Sequence, residues 1–319
     1  MGSFIAAVCQ VSAGADPHEA AVRAARAGAG LVVLPAFCLE AFLGCPPEVS
    51  YGRAPVAGSP QGTEGSPPGE ADPGGRTAPG REELLRLAAS IAREAGCHLV
   101  AGTVLVPAGE GGGRRQVAWL LSPEGELIGE QAQTHTTAEE EAAGRLEADR
   151  LEVFRALGVG IGLLVGLDVW VPEVARILTL EGATVLVAPL ALPAPYSEAR
   201  QIAGVWQMVQ QNQVFGLEAC LVGEWGGVSY AGRSAVTAPC EAVGDASGFV
   251  VRAPAPDRPL TVLGGIDLEA RRRAVESYDI LEAMNTRLYR QVFPMAYLGR
   301  RRRVAGGPTR GPLGGGEPR

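Results

Sequence analysis

The chain has 319 residues, of which 46% are hydrophobic, 20% charged and 5% aromatic, with a formal net charge of −7 at pH 7. That is enough apolar material for one large α/β domain with a substantial core. The acidic balance disfavours a phosphate-backbone partner, no apolar run approaches the roughly 20 residues of a membrane span, and the apolar start at 4–8 lacks the basic residues of a signal peptide.

Two counts narrow the chemistry. All 28 residues in the Lys+Arg total are arginines, so every mechanism that needs a lysine amine is excluded. The six cysteines, Cys9, Cys38, Cys45, Cys97, Cys220 and Cys240, are scattered, several in apolar strand-like runs, as reduced structural thiols of a cytoplasmic protein would be. Residues 299–319 hold six arginines against one glutamate, and their Gly/Pro-rich sequence is read as a disordered basic tail rather than a nucleic-acid contact.

In chain order, residues 4–11 read as a strand. Asp16 is placed to cap a helix that starts at Pro17, carries Glu19 in its first turn and stops at Gly28. Residues 31–34 form a buried strand ending at Pro35. Residues 36–51 are expected to be loop, and 52–80 a Gly/Pro-rich insertion. An amphipathic helix at 82–95 and a strand at 98–106 follow, then a hairpin of 115–122 and 126–133 around a Ser-Pro-Glu-Gly turn. Residues 136–148 are acidic and helix-prone, with Glu139, Glu140 and Glu141 expected on a solvated face, and 151–155 is a short strand.

The most informative stretch is 158–189, GVGIGLLVGLDVWVPEVARILTLEGATVLVAP. Residues 159–165 are too short and glycine-rich for a surface helix and read as a buried strand. Gly166 and Asp168 break the run, Pro172 opens a helix with Glu173 in its first turn, and 184–187 is a second buried strand. This is a βαβ unit, whose elbow projects from the carboxyl end of a strand, where open α/β folds place their chemistry. GAGLVVLP near the start matches GATVLVAP here, so two similar βαβ halves and a two-sheet architecture are expected. Beyond Pro189, Ser197 caps a helix at 198–212, strands are expected at 214–222, 233–238, 249–252 and 260–266, and Asp267 caps a long helix at 268–289.

The stretches AAVCQ, GAGLVVLP, CHLVAGT, SPEGELIGEQAQTH, IGLLVGLDVWVPEVARILTLEGATVLVAP, QQNQVFGLEACLVG, GRSAVTAP and TVLGGIDLEARRR, in that order, resemble the nitrilase (carbon–nitrogen hydrolase) superfamily. The resemblance implies a four-layer αββα sandwich over residues 1–298, and a family chemistry that acts on non-peptide C–N bonds with a Glu, a Lys and a Cys. The cysteine attacks, the glutamate moves the proton and the lysine steadies the oxyanion. The positions equivalent to those three hold Ala36, Gln133 and Gly166. Candidate substitutes are Glu40 for the acid and Cys38 for the nucleophile, while His135, Asp168 and Glu173 are read as residues of the former pocket.

The expectation is therefore a nitrilase-fold pseudoenzyme with a ligand-binding, regulatory or scaffold role. The alternative is a divergent amide, nitrile or carbamoyl hydrolase with another nucleophile. Loss of a Glu and a Cys predicts a larger, less polar pocket, open to a small amide or carboxylate ligand. No cofactor or metal is expected: three separated histidines and no C-x-x-C give no ligand set, GVGIGLLVG matches no phosphate loop, and Ser229 and Ser234 lack a nucleophile elbow. Neither a membrane nor nucleic acid is an expected partner. The resemblance further implies a homodimer, or a mixed oligomer with an active paralogue, through helices 172–181 and 198–211, with Trp206, Met208 and Val209 supplying apolar contact.

Overall fold

In the computed structural model, which describes residues 2–45, 79–109 and 112–298, strand β1 (Phe4–Ser12) is the hub on which the sheets meet. It lies parallel to β2 (Leu31–Val33) and antiparallel to β13 (Leu260–Ile266). At its far end, through Val11 and Ser12 alone, it joins β9 (Phe215–Trp225) in parallel. One half then runs outward from β2 to β3 (His98–Pro107), β4 (Arg114–Leu121) and β5 (Leu127–Ala132). The other runs from β9 to β8 (Val185–Leu190), β7 (Val159–Leu163) and β6 (Val153–Ala156). β11 (Ala235–Thr237) pairs with β9 and with β12 (Phe249–Arg252), and β10 (Val228–Tyr230) with β9.

Three apolar layers show how these halves stack. Between the sheets, Ala6, Val8, Val33 and Leu120 of one half meet Ile161, Leu163, Val187 and Phe215 of the other. Outside the first sheet, Leu84 and Ile91 of α3 (Arg81–Ala95) and Ala21 of α1 (Pro17–Arg26) cover Leu99 and Trp119. Outside the second, Val174 and Leu178 of α5 (Pro172–Leu180) and Met208 and Val209 of α7 (Gln207–Asn212) cover Leu186 and Ala188. The architecture is the expected αββα sandwich. Alternate residues of each strand serve opposite layers, and strands buried on both faces explain the unbroken apolar runs in the sequence.

The start signals act as the sequence indicates. The Asp16 carboxylate accepts from His18 N–H, Ser197 caps α6 (Glu198–Gln201), Asp267 caps α8 (Leu268–Ser277), and Pro172 occupies the first turn of α5. Gly160 on β7 is required by close approach, because a Cβ there would lie 2.1 Å from the Gly182 carbonyl oxygen.

Four expectations are corrected. The loop expected at 36–51 contains a short helix, α2 (Cys38–Phe42). The acidic helix expected at 136–148 is confined to α4 (Ala138–Ala142), since the chain turns through Gly144 at φ +80. The helix expected at 198–212 is split by a π turn at Ile202–Trp206, where Gly204 leaves helical geometry. Trp170 Nε1 donates to Arg200 O at 3.2 Å, taking the carbonyl that Gly204 N–H would otherwise use. The single helix expected at 268–289 stops at Ser277 because Gln213 Nε2 donates to Tyr278 O at 2.8 Å and holds Tyr278 extended.

The chain divides into two compact units, Met1–Ile280 and Leu281–Arg319; the second carries α9 (Thr286–Leu298). The insertion read at 52–80, apart from Pro79 and Gly80, and the tail read at 299–319 lie outside the described residues. Among the described residues, no helix is long and apolar enough to cross a membrane.

Candidate functional site

The elbow after β7 is a short 3-10 segment, Gly166–Trp170, that opens with Gly166 at φ +58, a left-handed conformation that favours glycine. A Cβ on Gly166 would sit 2.8 Å from both Cδ and Nε2 of Gln133. The Gln133 amide thus fills the place where a side chain at position 166 would begin. Ala36, the third position, is fully buried in the apolar layer beneath α1 and α3. The structure brings Gln133 and Gly166 together and leaves all three positions without an acid, an amine or a thiol.

Gln133 is held by a buried polar chain. Its Nε2 donates to His135 O at 2.6 Å and to Glu140 Oε2 at 3.2 Å. Glu140 also accepts from Thr137 N at 2.8 Å and pairs with Arg145 at 2.9 Å, both side chains being at most 4% exposed. Arg145 donates to Gln116 Oε1, and Gln116 donates to Thr103 Oγ1 at 2.7 Å. One sequence expectation fails here: Glu140 is buried rather than solvated, one of five buried polar side chains in this chain of contacts. The signal for Glu140 was the Thr137-x-x-Glu140 capping box, which turns one acid of the run inward to the helix start.

Glu40, the candidate substitute acid, lies on α2 and is 6% exposed. Its Oε1 accepts from Leu105 N at 2.9 Å, and its Oε2 has no hydrogen-bond partner among the described residues. Burial pushes its carboxyl up to about 7, against the downward pull of the Leu105 N–H and of Arg114 and Arg145. Gln133 Oε1 is likewise buried and has no hydrogen-bond partner among the described residues. Cys38, the candidate nucleophile, is 1% exposed, and burial followed by the Glu40 charge raises its thiol well above the usual range. A thiol so placed is protonated at neutral pH and a poor nucleophile.

The residues read as pocket separate into two groups. Asp168 is fully buried and accepts from Thr134 N (2.9 Å), Thr134 Oγ1 (2.9 Å) and His135 N (3.0 Å), with His135 Nδ1 at 3.0 Å from the same carboxylate. It clasps the segment that follows β5 to the elbow and so sets where Gln133 meets Gly166. Glu173 lies exposed in the first turn of α5, where its charge suits the helix start. Asp168→Ala is expected to destabilise the fold by about 2–3 kcal/mol, because it strands two part-buried backbone N–H groups that now donate to a buried carboxylate. A urea midpoint unchanged by that substitution would remove Asp168 from this role.

A second buried acid gave no sequence signal. Glu218 on β9 is 3% exposed, accepts from Gln201 Nε2 at 3.0 Å, and is pushed by burial up to about 7. It lines a small cavity with Tyr196, Arg200, Gln201 and Arg233. The expected dimer contacts Met208 and Val209 are at most 1% exposed and belong to the layer under α7, whereas Ile177 and Leu180 of α5 are 45% and 54% exposed. Trp206 is half-buried and donates to Ser247 O.

A four-layer α/β sandwich with an elbow at the end of β7 defines the class. The carbon-nitrogen hydrolase family model matches residues 7–243, and the chain belongs to that family. A nitrilase from Pyrococcus abyssi is 29% identical over 150 residues, which are 47% of this chain and 54% of that protein, so the match spans about half the length of this relative. A double mutant of the amidase from Nesterenkonia sp. AN1, in complex with acrylamide, superposes with TM-score 0.63 at 20% identity, covering 90% of this chain and 96% of that one. A crystal structure of an amidase from Nesterenkonia sp. gives TM-score 0.64 at 22% identity over 90% and 95%. At these identities the superpositions establish the shared fold.

Proposed function

We propose that this chain is a non-hydrolytic member of its family that retains the former pocket for a small amide ligand. The observation that carries this is Gly166 with the Gln133 amide in the place of a side chain. Attack on an amide carbon needs a nucleophile, a proton shuttle and a cation or donor set at the oxyanion. At the three positions the chain supplies a hydrogen, a methyl and a neutral amide. Glu40 retains proton-transfer capacity with nothing to activate, since the Cys38 thiol is held protonated by burial.

The ligand chemistry follows from the two unpartnered oxygens. Gln133 Oε1 can only accept, while Glu40 Oε2 donates when protonated and accepts when ionised. A primary amide offers an N–H to the first and a carbonyl to the second. A carboxylate has no N–H to offer Gln133 and is the poorer fit. The Nesterenkonia amidase mutants in complex with acrylamide and butyramide support amide occupancy of such a fold. Six free cysteines support a reducing, cytoplasmic setting, and the exposed Ile177 and Leu180 of α5 support pairing with a second copy or a paralogue.

The test combines turnover and binding. Purified protein incubated with simple amides, nitriles and N-carbamoyl compounds is expected to release no ammonia. Acrylamide or butyramide is expected to raise the melting temperature, as any ligand of the native state must, and Glu40→Gln to diminish that rise. Ammonia release abolished by Cys38→Ser or Glu40→Gln would establish the divergent hydrolase instead. No thermal shift with any amide would leave a scaffold role alone.

A further inference from the structure

We propose a second small-molecule site on this chain, separate from the former amide pocket: the cavity over Glu218 takes the ammonium group of a small amino acid, and the arginines at its rim meet the carboxylate. The side chains of β9 alternate between layers, Leu217 and Ala219 facing the opposite sheet and Cys220 the outer helices. Glu218 therefore points outward, beneath α6, and the cavity it lines includes neither Gly166 nor Gln133.

A buried carboxylate needs donors at both oxygens, and the chain supplies one. Gln201 Nε2 donates to Glu218 Oε2 at 3.0 Å and to Arg233 O at 2.6 Å, while its Oε1 accepts from the Tyr196 hydroxyl at 2.7 Å. The Arg233 carbonyl fixes the direction of that amide, since flipping it would set oxygen against oxygen. Glu218 Oε1 has no hydrogen-bond partner among the described residues and is left to the cavity. Arg252, whose charge reaches Glu218, is itself paired with Glu198 at 2.9 Å. The cavity measures about 10 Å³, room for one water-sized group. An ammonium is a group of that size with three N–H donors.

The rim decides what else the ligand carries. Glu218 and Gln201 are buried, whereas Arg200 and Arg233 line the same cavity half-buried, where it meets solvent. Neither arginine makes an ion pair among the described residues, and Arg233 donates through its Nε alone, to Ala253 O. Two such guanidiniums repel a bare ammonium and attract a carboxylate, which their planar donors suit. An acid below and arginines above complement a molecule with an amine at one end and a carboxylate at the other. A simple amine leaves the arginines unmet. A simple carboxylate brings no donor to Glu218.

The test is calorimetric titration of the full chain with glycine, β-alanine and γ-aminobutyrate, which set the two charges progressively further apart, and with methylammonium and acetate as single-ended controls. At least one amino acid is expected to bind at least about tenfold more tightly than either control. Glu218→Gln removes the charge but keeps the Gln201 contact, and is expected to weaken that binding at least about tenfold. Arg200→Gln, at the rim, is expected to weaken it as well, and keeps the result readable should Glu218→Gln disturb packing. The pH dependence gives an independent reading. Burial raises Glu218 to about 7, so its ionised fraction climbs about tenfold from pH 6 to pH 8, and binding is expected to tighten by about that factor. The neighbouring Cys220 and Tyr196 are pushed above their ordinary values and keep their protons across this range. The proposal is overturned if no amino acid binds, if a control binds as tightly, or if either variant binds like the parent. Binding that weakens from pH 6 to pH 8 overturns it too, as does displacement by acrylamide, which would put the ligand in the former pocket.

Discussion

Arg145→Met is expected to destabilise the fold by about 3–5 kcal/mol, read as a large fall in the urea midpoint with little change in slope. Arg145 and Glu140 are both buried, and Glu140 Oε1 looks to the guanidinium at 2.9 Å for its counter-charge. Removing the cation leaves an ionised carboxylate in the protein interior, and Gln116 loses its donor at the same time. The double variant Arg145→Met, Glu140→Gln is expected to recover much of the loss, because neither partner then carries charge. Gln at 140 keeps an amide oxygen for Thr137 N–H. A single variant within about 1 kcal/mol of the parent would show that water reaches the pair and that it does not hold the Gln133 shelf in place.

A second large effect concerns pH. Burial raises Glu40 and Glu218 from an ordinary value of 4.5 to about 7 each. In the unfolded chain both lose their protons near 4.5, while the folded chain keeps them until about 7. Between those values the folded state binds more protons, so stability falls as pH rises through this window and levels off above it. The expected loss is about 3 kcal/mol for each group, at 1.36 kcal/mol per unit of difference.

Other shifted carboxylates do not obscure the window. Glu198, held low by its hydrogen bond to Arg252, and Asp245, held low by Ser247, act only as pH drops below the usual carboxylate range. Glu40→Gln with Glu218→Gln is expected to match the parent near pH 5, to exceed it near pH 8, and to flatten the profile between. Gln at 218 still accepts from Gln201, so the contact survives the loss of charge. A parent whose unfolding free energy rises from pH 5 to pH 8 would contradict both assignments.

The scaffold was legible because it is written in local chemistry. Asp16, Pro172, Ser197 and Asp267 mark helix starts through their own side chains and rings, and the repeated Gly-Ala-strand-Pro pattern marks the two βαβ halves. What escaped was everything set by distant contacts. Glu218 sits in an apolar strand, and its burial goes with a contact to Gln201, whose position in space no local pattern encodes. The close approach of Gln133 to Gly166 joins residues more than 30 positions apart. The early end of α8 is likewise set by Gln213, far upstream in sequence.

The position of β1 bears on how the chain comes to be folded during synthesis. Strand β1 is the hub of the sheets, yet two of its partners, β9 and β13, lie more than 200 residues later in the chain. Until residues 260–266 emerge, the edge of β1 that will meet β13 is open. Closure of the sandwich is thus a late, long-range event, with a high loop-closure cost and slow kinetics. A nascent chain halted before β13 would expose an apolar strand edge, a natural substrate for chaperones.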